Sequence, residues 1–203
     1  TTLFRSAFRM VRASKNRYGP ADEVGCFEMG AGGIREVPDP SGLFVSRHAE
    51  PVAGTCLGIS LEGRRPLLGE VQALVAPSTL ASPRRTVVGL DSGRISTILA
   101  VLEARCAIPF AGLDVFLNVA GGMRVNEPAA DLAIAAALLS AREDSALPAD
   151  TVLFGEISLS GAVRPVAHAQ QRLKEAEKLG FGRAVLPSGS GDIAGGTSAG
   201  TFQ

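Results

Sequence analysis

The chain has 203 residues, 46% hydrophobic and 20% charged, a globular rather than a disordered composition with room for one domain plus extensions. Its 20 basic and 20 acidic residues cancel, which excludes a uniformly basic nucleic-acid binder but not a local basic face. Trp is absent and Tyr occurs once, so the core is aliphatic, and Cys26, Cys56 and Cys106 form no CxxC, which speaks against a disulfide framework or zinc knuckle and for a reducing compartment.

In chain order, the first cations are Arg5, Arg9, Arg12, Lys15 and Arg17, with no acid before Asp22. Val24–Met29 reads as a strand, Gly30–Gly33 as a turn and 34–37 as a second strand. So small a piece cannot fold alone and looks like the last hairpins of a larger domain. The next stretch, to Pro51, reads as a linker. Cys56–Leu61 and Leu67–Val75 alternate around Gly63 as a β-hairpin. Asp91 or Ser92 caps a helix that puts Ile95, Ile98, Leu99, Leu102 and Cys106 on one face. Leu113–Val119 is a strand. Pro128 opens a helix to Ser140 that is apolar nearly all round and therefore buried. Strands follow at 152–157 and 159–163 around a Gly161 turn. A helix from Gln170 to Leu179 closes at Gly180, and 184–186 is a last strand. Interleaved helices and strands predict an α/β or α+β fold. The apolar stretch within 128–139 is too short for a bilayer, and the N-terminus has no signal-like run, so a soluble, cytoplasmic chain without a membrane partner is expected.

Few residues advertise chemistry. Gly89–Ser96 is one residue short of a P-loop and has Arg94 where the lysine belongs, so a turn into a helix is the better reading. His48 and His168 sit in no metal-ligand pattern, and no nucleophile motif supports a triad on His168. Glu156 follows Gly155 in a predicted strand. Asp131, inside an apolar helix, needs a partner: an arginine, or else it marks a remnant site. Arg64, Arg65, Arg84, Arg85, Arg94 and Arg124 fall at turns or element ends, where guanidinium groups can reach phosphates without burial. The plainer alternative is scattered solubilising charge. On the first reading Arg65, Arg85, Arg94 and Arg124 line one basic surface that contacts phosphates.

Lys15-Asn16-Arg17-Tyr18-Gly19, followed by Glu23-Val24-Gly25 and Phe27-Glu28-Met29, resembles the KNRFG motif of the bacterial RadA (Sms) family of DNA repair ATPases. Downstream strings are similar to that family's C-terminal domain: Glu70-Val71-Gln72-Ala73-Leu74-Val75, Glu127-Pro128-Ala129-Ala130-Asp131 and Gly155-Glu156-Ile157-Ser158-Leu159-Ser160-Gly161. The resemblance implies four parts: residues 1–40 as the C-terminal end of a RecA-like ATPase core, 41–51 as a linker, 52–187 as a Lon protease-like domain, and 188–203 as a flexible tail. The implied fold is α/β (α+β), a ribosomal protein S5 domain 2-like fold preceded by a short β-hairpin segment. The implied whole protein is a homo-hexameric, DNA-dependent ATPase and branch-migration helicase. It would process homologous-recombination intermediates with the recombinase RecA on single-stranded and branched DNA. ATP and Mg would belong to its ATPase core and Zn to its N-terminal finger, with no cofactor in this fragment and no enzymatic activity of the fragment itself.

Lon-type peptidases use a Ser–Lys dyad, in which the lysine takes the serine proton. By the resemblance those positions are Ala129 and Gln170 here, so a non-proteolytic oligomerisation and DNA-binding domain is expected rather than an active Lon-like peptidase. Lys174, one turn on, has no serine to activate. A bare oligomerisation platform is the third possibility. Lys15 and Arg17 are expected to contact nucleotide in trans on a neighbouring subunit of the whole protein.

Overall fold

The computed structural model describes residues 8–12, 15, 17, 24–30, 32–37, 50–190 and 196–199. β1 (Phe8–Arg12), β2 (Val24–Gly30) and β3 (Gly33–Glu36) form an antiparallel sheet in that order. The tight β2–β3 turn ends on Gly33, whose φ of +104° suits glycine. β1 escapes the sequence reading, because Phe-Arg-Met-Val-Arg gives no clean alternation. Most of the linker, residues 41–49, lies outside the described residues.

The hairpin of β4 (Thr55–Glu62) and β5 (Arg65–Pro77) turns at Gly63, φ +61°. After it come β6 (Arg85–Val88), α1 (Ser92–Cys106) and β7 (Leu113–Val119). A 3-10 turn over Pro128–Ala130 leads into α2 (Asp131–Arg142). Then follow β8 (Thr151–Leu153), β9 (Glu156–Ile157), β10 (Val163–Arg164), α3 (Ala169–Lys178), β11 (Arg183–Pro187) and β12 (Gly196–Ala199). The large sheet has the order β12-β11-β8-β4-β5-β7-β6. β4–β5 and β5–β7 are antiparallel, and the other pairs are parallel. The fold is mixed α/β on a mixed sheet.

Period-two alternation sends Cys56, Leu67 and Val71 to one face, where α1 and α2 bury the main core with Ile98, Leu102, Leu117 and Leu138. α2 lies close because small residues meet there: a Cβ on Gly58 would stand 3.0 Å from the Ala133 methyl. On the other face α3 covers Ile59, Leu68, Val152, Phe154, Ala184 and Leu186, a second and smaller core. Beyond that half, Leu74 and Val88 are exposed.

Gly54 fixes how the chain enters β4. Its φ is +82°, and a Cβ would sit 2.2 Å from the Ala73 carbonyl oxygen. Its N–H donates to the Ser140 hydroxyl at 2.9 Å. Gly54→Ala is expected to lower stability by about 1–3 kcal/mol, the range of a residue forced into strained backbone. Urea unfolding with an unchanged m-value would report it.

Three sequence expectations need correction. The strand read at 152–157 is two strands: Gly155 threads between neighbours, where a Cβ would lie 2.9 Å from Val163 Cγ1 and 3.0 Å from Pro187 Cγ, and its N–H bonds to Ala129 O. The strand read at 159–163 reduces to Val163 with Arg164, because Ser158 and Gly161 close the turn and Leu159 is 71% exposed. The tail read as flexible from 188 contributes β12, paired with β11. In addition, β6 lies outside the strands read from the sequence, and Arg85 is its first residue.

Candidate functional site

The N-termini of α1 and α2 meet around the residues that the sequence singles out. Asp91 holds φ −80°, ψ 124° and its Oδ1 accepts the Arg94 N–H at 2.7 Å, a conventional N-cap. Gly89 precedes it at φ +80°, with Met123 O 2.6 Å from where a Cβ would stand. The Gly89–Ser96 string is thus a turn into a helix, and a carboxylate already occupies the helix N-terminus where a phosphate would bind.

Arg94 turns away from that turn and forks Asp131. Its Nε reaches Oδ1 at 2.7 Å and its Nη2 bonds Oδ2. Asp131 is 1% exposed and also accepts the Ile157 N–H at 2.9 Å. Glu156 stands 3.8 Å from the same guanidinium. Burial pushes the Asp131 carboxyl above the usual carboxylate range, against the pull of Arg94 and the Ile157 N–H. The arginine partner expected for Asp131 is therefore present.

A second charge pair had no forewarning in the sequence reading. Arg172, on α3, has a side chain 0% exposed. It donates to both oxygens of Glu127, at 3.0 Å from Nη1, and to Ile59 O at 2.7 Å and Ala167 O at 3.1 Å. Its guanidinium lies 5.8 Å from the Phe154 ring centroid. Glu127 in turn accepts the Leu61 N–H at 2.6 Å. The available signal was periodicity: Arg172 lies one turn before the buried Ala176 and next to Leu173, on the apolar stripe of α3.

Between these pairs lies a cleft of about 240 Å³, bordered by Leu90, Asp91, Arg94, Val125, Glu127 and Asp131. Neither Ala129 nor Gln170 borders it. Ala129 is buried and Gln170 is exposed on the first turn of α3. An alanine methyl has no nucleophilic atom and a neutral amide no basic one. No group of three His, Cys, Asp or Glu side chains among the described residues is placed to hold a metal ion. Burial raises the thiols of Cys26, Cys56 and Cys106, which favours their protonated form.

The four arginines assigned to one DNA surface separate. Arg94 is bound to Asp131. Leu90 bridges Val125, which places Arg124 near the start of α1; Arg124 is exposed, with no partner among the described residues. Arg65 opens β5, partly exposed. Arg85 pairs through Val115 with Val75, ten residues along β5 from Arg65, roughly 33 Å away at strand rise. Its guanidinium binds the Arg84, Leu113 and Phe110 carbonyls. The single surface therefore does not include Arg85, because β5 is long enough to put the two ends of the sheet far apart. Lys15 and Arg17 are exposed, while Asn16, Tyr18, Gly19 and His48 lie outside the described residues. No helix among the described residues is long and apolar enough to cross a membrane.

Residues 81–190 match the family described as subunit ChlI of Mg-chelatase. The chain is 59% identical over 186 residues to a DNA repair protein RadA of Brucella abortus, covering 92% of this chain and 40% of the relative. With the protein of the same name from Rickettsia bellii it shares 50% identity over 88% of this chain and 40% of the relative. With that from Synechocystis sp. it shares 46% over 93% and 37%. The chain thus spans about two fifths of the length of these curated relatives. A match this close, running through the hairpin, the cleft and α3 alike, means that the chain belongs to the DNA repair protein RadA family and its residues 81–190 to the ChlI family.

Proposed function

We propose that this chain is a non-proteolytic Lon protease-like module, of ribosomal protein S5 domain 2-like fold, within a cytoplasmic DNA repair ATPase. It binds DNA and helps assemble a homo-hexameric ring, in a whole protein that uses ATP and Mg in a RecA-like core and Zn in an N-terminal finger. That protein works with the recombinase RecA on single-stranded and branched recombination intermediates. The observation that supports the reading is Ala129, buried behind Glu127-Pro128, with exposed Gln170 at the position the resemblance gives to the second dyad member: neither side chain can supply a reacting group. β1–β3 are then the last strands of the ATPase core.

Fluorescence anisotropy with labelled single-stranded and branched DNA tests the DNA arm. Arg65→Ala and Arg124→Ala are each expected to reduce the salt slope of log K by about one, uniformly across sequences, as loss of one phosphate contact does. Arg85→Ala leaves it unchanged. Absence of DNA binding by the unaltered chain would leave an oligomerisation platform. Time-dependent casein cleavage by pure protein, abolished in Lys174→Ala, would restore the peptidase reading. In the whole protein, mixing Lys15→Ala subunits with Walker-dead subunits is expected to recover part of the ATPase activity, because a cation supplied in trans completes the neighbour's site.

A further inference from the structure

β12 is an unusual neighbour for β11. The two run parallel, from Ala184↔Gly196 to Pro187↔Ala199. Parallel neighbours ordinarily need a crossover of a dozen or more residues. Only eight, 188–195, join these two, and the first of them are spent on a turn in which the Ser190 N–H and hydroxyl both donate to Pro187 O. The strand itself is Gly-Thr-Ser-Ala, in which threonine alone favours extended structure. β11, by contrast, is firmly held: it pairs with β8 on its other side, and Ala184 and Leu186 are buried in the second core. A firm acceptor edge thus carries a weak strand on a short connection, the combination that invites exchange between copies.

We propose that the edge of β11 that carries β12 is a strand-exchange site, at which Gly196–Ala199 of one copy takes the parallel register on β11 of a second copy, and reciprocally. A second copy is the partner because the segment already seated on this edge is the chain's own, so a second copy offers the same backbone ladder without the short return. The inference rests on sheet geometry and is independent of the DNA-binding reading.

The register names the test. In a Cys106→Ser background, full-length chains carrying Val185→Cys and chains carrying Thr197→Cys are mixed and oxidised. The mixture is expected to give a disulfide-linked heterodimer in a yield that rises with protein concentration. The yield should exceed at least fivefold that from pairing Thr197→Cys with Lys178→Cys, an exposed position off this edge. Equal yields in the two mixtures would mean random collision and overturn the proposal. So would a chain carrying both Val185→Cys and Thr197→Cys that closes only within itself at every concentration. If no combination closes, the β11–β12 pairing itself is wrong and the proposal falls with it.

Discussion

Glu127→Ala is expected to cost about 3–5 kcal/mol of folding stability, the range for breaking a buried ion pair from one side. The asymmetry of the pair sets the order of effects. Arg172 is 0% exposed and Glu127 25%, so removing the glutamate strands a guanidinium with carbonyl partners alone. Removing the arginine leaves a carboxylate that water can reach and that still accepts the Leu61 N–H. Arg172→Met, which keeps volume against Phe154, should therefore lose less than Glu127→Ala. Denaturant unfolding of both variants decides the matter. Equal losses would mean that the pair acts through packing rather than through charge.

Arg94→Ala is expected to lose a comparable 3–5 kcal/mol at neutral pH, because it leaves Asp131 charged and buried. Asp131→Asn should lose less, since Arg94, 34% exposed, returns to water and an amide oxygen can still accept the Ile157 N–H. The pH dependence carries a definite sign. Burial already raises the Asp131 carboxyl, and loss of Arg94 removes the main opposing pull. A carboxyl whose folded pKa exceeds its unfolded value contributes its full stability below the unfolded value and loses it as pH rises through the folded one. The deficit of Arg94→Ala should therefore be small below the ordinary aspartate value of 3.8 and widen above it. Thermal melts across that range report it, and a deficit independent of pH would assign the loss to Arg94 packing instead.

These two pairs also mark how far the sequence could be read. The capped start of α1 was legible because Asp91 precedes an unbroken apolar period, and the β4–β5 hairpin because Gly63 divides two alternating runs. Asp131 announced its need for a partner, since a charge in an apolar helix is costly unless it is paired, although a remnant site was the alternative reading. Which arginine answers is a tertiary matter: Arg94 lies 37 residues away, and nothing local distinguishes it from Arg124. Arg172 was hidden by its neighbours, because Gln-Gln-Arg-Leu-Lys-Glu reads as a solvated face until the sheet position of α3 is known. The break at Gly155 was missed for the same reason, as the close passage past Val163 and Pro187 exists only after three distant segments assemble. Ala129 and Gln170 were singled out through the family resemblance alone; in the structure one is buried and the other exposed.

The long strand β5 gives the domain its mechanical character. Leu67 and Val71 face the main core while Leu68 belongs to the second, so one stretch of backbone is shared by both. Neither core can open without tearing the ladder that holds the other. Heat or pulling force applied to either layer is therefore transmitted to both, and the two layers yield together in one cooperative transition rather than peeling apart in steps.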